Sequence, residues 1–184
     1  MNTVGEGLDE AVQRAFTRPV PKSAGARMRY LVKQLKGTGP VAGLLGISRR
    51  TVERYVKNEI KRPRKDLSDR MEREVRKRWQ PQVRAKARKN AATTGGIIID
   101  TRARFGYSAA PGTTDDARLR HLTVALPPVY AARLFEAQEQ GGTDRQLQEI
   151  AAEGLQEIYF KDGGRRAQGL LVEYTDLEHI EFDL

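Results

Sequence analysis

The run VAGLLGISRRTVERYV, Val41 to Val56, limits what this chain can fold into more than any other stretch. Ala42 is small enough for two crossing helices to approach closely. Gly46, four residues on, can take the positive φ of a tight turn between them. Ile47, Val52 and Tyr55 supply apolar anchors beyond the turn. Ser48 suits the start of a second helix, because its hydroxyl can accept from an otherwise unpaired backbone N–H of the first turn. That helix turns Arg49, Arg50, Glu53 and Arg54 outward. Small residue, glycine turn, cap, anchors and basic outer face together spell a helix-turn-helix, whose second helix lies in the DNA major groove. Arginine can grip guanine O6 and N7 with both arms of its fork, or hold phosphate. The expected DNA-contacting set is Ser48, Arg49, Arg50, Thr51, Glu53, Arg54 and Lys57, with Arg64, Arg76 and Arg78 from the basic stretch beyond. The plainer alternative is a helical hairpin with a solvated basic face.

Charge is distributed unevenly in a way that favours DNA. Residues 1–90 hold 24 Lys and Arg against 9 Asp and Glu, a net +15, whereas residues 91–184 hold 9 against 15, a net −6. A basic half can release condensed counterions when it meets phosphate, so its binding should weaken steeply with salt. The sign reversal predicts two domains with different partners. With no cysteine, disulfides, thiolate zinc sites and a catalytic thiol are excluded, and two histidines, His121 and His179, are too few for a histidine metal cluster. No metal site and no bound cofactor are expected. No apolar run approaches a membrane span and the first residues do not read as a secretory signal, so a cytoplasmic protein without a membrane partner is expected.

The predicted class is α+β: an all-helical N-terminal domain over residues 1–90 and a β/α domain over 91–184. Leu8–Phe16 reads as a short amphipathic helix. Met28, Leu31, Val32 and Leu35 mark another, ended by GTGP. Leu67, Met71 and Val75 give the basic stretch one apolar face, and beyond Pro81 it reads as an extension. Trp79 reads better as a plug at the core edge than as a platform for a base. Asn90–Gly96, small and polar, is the expected domain boundary. Ile97 to Tyr107 reads as a strand and His121 to Leu126 as a second, joined into a hairpin with a long tip.

From His121 onward, a strand, a helix with Tyr130, Leu134 and Phe135, a Gly141-Gly142 break and a helix capped by Thr143 resemble a ribbon-helix-helix. In such proteins two chains pair their strands, which implies a homodimer. The outward ribbon positions here are not basic, so the acidic half is expected to serve dimerisation or partner docking. The tail LLVEYTDLEHIEFDL adds one or two strands with an acidic rim.

A family resemblance covers essentially the whole chain. PKSAGARMRYLVKQLKGT, LLGISRRTVERYV, VRKRWQPQVRAKARK, ATTGGIIIDTRARFGY and the acidic tail, in that order, resemble Tpg, the telomere-protecting terminal proteins of linear bacterial chromosomes and plasmids. The resemblance implies a terminal protein linked covalently to the 5′ DNA end, capping the telomere and acting as protein primer when the terminal gap is filled. It implies telomeric DNA, a telomere-associated DNA-binding protein and a DNA polymerase as partners, and a place on the nucleoid at replicon ends. On this reading the chain is not an enzyme: it offers a hydroxyl, while the polymerase and its Mg2+ ions supply catalysis.

Tyr107, Ser108, Thr113 and Thr114 are the hydroxyls near the hairpin tip. From the residues alone, the T-x-x-D relation of Thr113 and Asp116 makes a helix cap an equally good account of this segment. The resemblance to the family's priming threonine selects Thr114 as the nucleotide acceptor. A helix-turn-helix regulator of transcription or plasmid partition, without covalent linkage, is the alternative function.

Overall fold

In the computed structural model, which describes residues 3–108, 119–165 and 169–184, the chain is α+β and divides into two compact units. One comprises residues 16–81. The other comprises residues 1–15 with 82–184.

The helical unit packs four helices. The first helix of the chain, α1 (Val4–Arg14), belongs to the other unit; α2 (Ala24–Gln34), α3 (Thr38–Leu45), α4 (Arg49–Val56) and α5 (Lys65–Arg78) form this one. Met28 and Leu31 of α2, Val41 and Leu45 of α3, Val52 of α4 and Met71 and Val75 of α5 are fully buried in one core. The points where the chain enters and leaves are fastened side by side. The Gln80 side-chain carbonyl accepts from the Thr17 backbone N–H at 3.0 Å, and the Trp79 indole N–H donates to the Arg18 carbonyl at 3.0 Å. Trp79 also lies against Tyr30, ring centroids 4.9 Å apart, so it closes the core edge.

The sheet unit is built on three antiparallel strands in the order β2-β1-β3, with β1 (Ile97–Ser108) between β2 (Leu119–Leu126) and β3 (Leu171–Asp183). Alternation along β1 buries Ile97, Ile99, Thr101, Ala103 and Phe105 and exposes Ile98, Arg102 and Arg104. β2 does the same, burying Leu122, Val124 and Leu126. Onto the buried face pack α1, α7 (Pro128–Glu139) and α8 (Asp144–Leu155), the last opened by a Thr143–Gln146 capping box. The tail forms one strand along β1, with register shifts at Arg102/Ala103 and Arg104/Phe105. The strand-helix-helix order of the ribbon-like segment is present, but β2 pairs with β1 of its own chain from Ile97↔Leu126 to Arg104↔Leu119.

Two parts of the expected N-terminal domain pack with the sheet instead. Val4, Leu8, Ala11 and Val12 of α1 enter the sheet core. Gly7 permits this approach, since a Cβ there would lie 3.1 Å from the Phe182 ring. Asp144 at the start of α8 accepts from the Val4 N–H at 2.8 Å and so caps α1 from across the unit. The expected extension beyond Pro81 is a helix, α6 (Pro81–Asn90), with proline in the first turn where its missing N–H costs nothing. Arg84 of α6 pairs with Asp9 at 2.8 Å, and Arg88 reaches Glu139 at 2.6 Å with its guanidinium over the Phe135 ring. The segment expected to be a boundary is a π-helical turn, Ala91–Gly95, whose Ala91 is buried.

The other face of the sheet carries a polar cluster on all three strands. Asp100 Oδ1 lies 2.9 Å from His121 Nε2 and 3.9 Å from His179 Nε2, and Asp100 Oδ2 accepts from the Thr123 hydroxyl at 2.6 Å. The Thr123 and His121 hydrogen bonds hold the Asp100 carboxyl below the usual carboxylate range. A carboxylate with a lowered folded pKa contributes stability that is present above its unfolded value and lost as pH falls through the folded value. Asp100→Asn is therefore expected to lower stability at neutral pH and to flatten its decline below about pH 4. Denaturant melts of both proteins from pH 7 to pH 2 check this; an unchanged acid slope would count against it.

The packing also predicts that a polypeptide of residues 16–81 folds alone. Its circular dichroism should show a cooperative thermal loss of helix. A gradual, non-cooperative loss would contradict it.

Candidate nucleic-acid interface

The turn between α3 and α4 forms as its residues dictate. Gly46 sits in the left-handed region at φ 63°, and the Ile47 N–H closes back on the Ala42 carbonyl at 3.0 Å. The Ser48 hydroxyl then accepts from the Thr51 N–H at 3.1 Å and begins α4. Val52 and Tyr55 are buried beneath α4, and burial raises the Tyr55 phenol pKa. Arg49, Arg50, Glu53, Arg54 and Lys57 are left exposed at i, i+1, i+4, i+5 and i+8, which is a single helical face.

These side chains differ in how free they are. Ser48 and Thr51 are engaged with each other in the cap, their hydroxyl oxygens 2.9 Å apart, so their role is to set the start of α4. Arg49 folds back over the backbone of Gly39, where a Cβ would lie 3.0 Å from its guanidinium. Arg54 pairs with Glu59 at 3.3 Å, both half exposed, a pairing weak enough to exchange for phosphate. Arg50, Lys57 and Arg64 make no ion pair or side-chain hydrogen bond among the described residues and present their full charge.

Arg76 and Arg78 are placed differently. Arg76 grips Glu72 Oε1 through Nε at 2.9 Å and Nη2 at 2.7 Å, and the other Glu72 oxygen takes Arg27 at 2.7 Å. The Arg76 hydrogen bond, with the Arg27 charge, holds the Glu72 carboxyl below its ordinary range. Arg78 is held by the carboxylate and the carbonyl of Glu74. Both arginines thus brace α5 in the free protein. The pairings have a sequence signal: Glu72–Arg76 and Glu74–Arg78 stand at i, i+4 with the acid first. Within residues 16–81, 19 Lys and Arg face 6 Asp and Glu, a net +13, so these braces leave most of the positive charge uncompensated.

The C-terminal end of α4 is fixed with equal care. Lys57 caps it, Asn58 follows at φ 59°, and the Glu59 N–H reaches the Arg54 carbonyl at 2.9 Å. Arg29 of α2 donates to the Val56 carbonyl at 3.0 Å and to Asn58 Oδ1 at 3.1 Å. The first turn of α2 can lie this close only because position 25 has no side chain.

The chain matches no protein-family model, no curated protein and no solved structure. Thr114, the sequence-derived acceptor, and Thr113 lie outside the described residues, as does the rest of 109–118; Ser108 ends β1 and Leu119 begins β2. No group of three or more His, Cys, Asp or Glu side chains among the described residues is arranged to hold a metal ion. No helix among them is long and apolar enough to cross a membrane.

Gly25→Ala tests the seating of α4. Alanine in a helix ordinarily gains about 0.5–1 kcal/mol over glycine. Here a Cβ would collide with Asn58 Oδ1 and stand 3.1 Å from the Tyr55 carbonyl oxygen. The sign should reverse, with a loss of about 1–3 kcal/mol on chemical denaturation. A stabilised variant would show that α2 and α4 are not in this contact.

Proposed function

We propose that this protein is a DNA-bound terminal protein of linear replicons, which holds duplex DNA through α4 and offers the Thr114 hydroxyl as acceptor of the first deoxynucleotide. The observation that carries the DNA part is the exposed Arg49, Arg50, Arg54 and Lys57 face on the second helix of a helix-turn-helix, in a unit of net charge +13. The acceptor part rests on the sequence resemblance to the Tpg terminal proteins.

The chemistry asks little of this chain. A polymerase at a recessed 5′ end has no 3′-hydroxyl to extend, and a protein hydroxyl can take its place. Thr114 Oγ attacks the α-phosphorus of a deoxynucleoside triphosphate; the new P–O bond forms as the bond to the β-phosphate oxygen breaks and pyrophosphate leaves. The hydroxyl proton passes to a base of the partner polymerase, whose Mg2+ ions offset the developing charge. The 3′-hydroxyl of the attached nucleotide then serves as primer end. The terminal protein remains at the 5′ end, with a telomere-associated DNA-binding protein as its recruiting partner.

The decisive experiment isolates DNA from the native host under denaturing conditions without protease, digests it with nuclease and searches the peptides for a residual nucleotide by mass spectrometry. A deoxynucleotide on the peptide containing Thr114 is the expected result, with an alkali-labile link as a threonine phosphodiester requires. Thr114→Ala should abolish attachment and retain duplex binding. A modified peptide in Thr114→Ala would overturn the site. Abundant unmodified protein that washes from the ends would favour a helix-turn-helix regulator.

A further inference from the structure

The helical unit has a second cationic feature, formed by residues outside α4. A cavity of about 380 Å³ lies where the segment before α2 meets the loop joining α4 to α5, lined by Lys22, Ser23, Arg27, Lys61, Arg62 and Ser68 among others. Its cations fall into two groups. Arg27 is spent inside the fold, with Nη2 on Glu72 at 2.7 Å and Nε on the Pro21 carbonyl at 2.9 Å. Lys22, Lys61 and Arg62 are exposed and have no carboxylate or other hydrogen-bond partner among the described residues. No acidic side chain lines the cavity.

Three uncompensated cations held around one concave surface repel one another, and the fold keeps them there. Lys61 and Arg62 are carried on the short loop that follows the Asn58 turn, and Pro63 stiffens its end. Lys22 is held opposite by the start of α2, which Arg29 fastens to the end of α4. Ser23 already uses its hydroxyl to cap Ala26 N–H, so the cavity's free polar groups are its cations and the Ser68 hydroxyl, all able to donate to an anion. Such a set favours an anion with several oxygens.

We infer that this cavity binds a backbone phosphate of the duplex whose groove α4 enters, with Lys22 and Arg62 as its principal contacts and Lys61 beside them. The inference rests on the DNA-binding reading above and adds to it the anchor that α4 needs. Base-reading side chains can align only if the groove wall is held, and phosphate contacts fix that register. The cavity adjoins the C-terminal end of α4, where Lys57 is also exposed. Lys61 and Arg62 follow Lys57 by only four and five residues, at most about 18 Å of chain, so a strand held at Lys57 has the cavity within reach.

The test uses the full chain, a random-sequence duplex of about three helical turns and fluorescence anisotropy across a chloride series. Three proteins are compared: the natural sequence, the double variant Lys22→Gln with Arg62→Gln, and the double variant Lys33→Gln with Lys36→Gln. The second pair removes the same charge from exposed positions at the other end of α2. Counterion release gives a slope of log affinity on log salt of about 0.9 for each phosphate neutralised, so Lys22→Gln with Arg62→Gln, which removes the contact to one phosphate, should lower the slope by about 0.9. The Lys33 and Lys36 pair should leave it unchanged. Equal slopes in all three proteins, or equal losses in both variants, would overturn the cavity contact while leaving DNA binding in place. Failure of the natural protein to bind the duplex would overturn the DNA reading and this inference together. Saturable binding of inorganic phosphate that needs Lys22 and Arg62, with the DNA slope unaltered, would reassign the cavity to a free anion.

Discussion

The sheet unit depends on β1 being bonded on both edges. Its partners come from far apart in the chain: β2 follows it directly, whereas β3 is the last element. Its two faces differ because side chains alternate, so isoleucines, Ala103 and Phe105 meet the helices while Asp100, Arg102 and Arg104 meet water or the polar groups of the flanking strands. A one-residue slip would exchange those faces, which fixes the register of all three strands at once. The core that β1 creates is also what recruits α1. Without Phe182 opposite Gly7 and Asp144 at its N-terminus, that helix has charged and apolar faces but no reason to choose this place.

The helical unit is thus set into the sheet unit's sequence, between α1 and α6. Such an arrangement folds readily when the inserted part begins and ends at one spot. Thr17 and Arg18, bonded to Gln80 and Trp79, meet that condition. Tyr30 contributes its ring to Trp79 and its hydroxyl to the Arg78 carbonyl. The lone tryptophan is accordingly part of the closure, and burial raises the pKa of the Tyr30 phenol beside it.

What could be read from sequence follows the range of the interactions involved. The helix-turn-helix was legible because its determinants, Ala42, Gly46, Ser48 and Val52, act over a few residues. The strands, the Thr143 cap and the apolar stripes of α5, α7 and α8 were legible for the same reason. The assignment of α1 and α6 to the sheet was not, since it rests on Asp9–Arg84 and Val4–Asp144, pairs separated by 75 and 140 residues. A run of positive charge suggested that residues up to 90 act together. In the fold, Arg84 and Arg88 serve as struts between helices of the sheet unit. Arg76 and Arg78 show that a basic run read by charge alone also hides local pairing, here with carboxylates one helical turn earlier.

The cations of the helical unit are sorted by whether they have a carboxylate, and this sorting is more informative than the net charge. Arg27, Arg76 and Arg78 are paired within the fold, so giving them to phosphate would require breaking a brace. Arg50, Lys57, Lys22 and Arg62 have nothing to give up, and a phosphate meeting them replaces only water and small ions. The energetic case for DNA contact is therefore strongest at the unpaired groups, on α4 and at its C-terminal end. Specificity follows a different rule. A guanidinium free to swing costs conformational entropy when it is fixed on a base, and Arg49, already folded over Gly39, has part of that cost met in the free protein. In the proposed DNA complex Arg50 therefore gains mainly in charge, and Arg49 in prior placement.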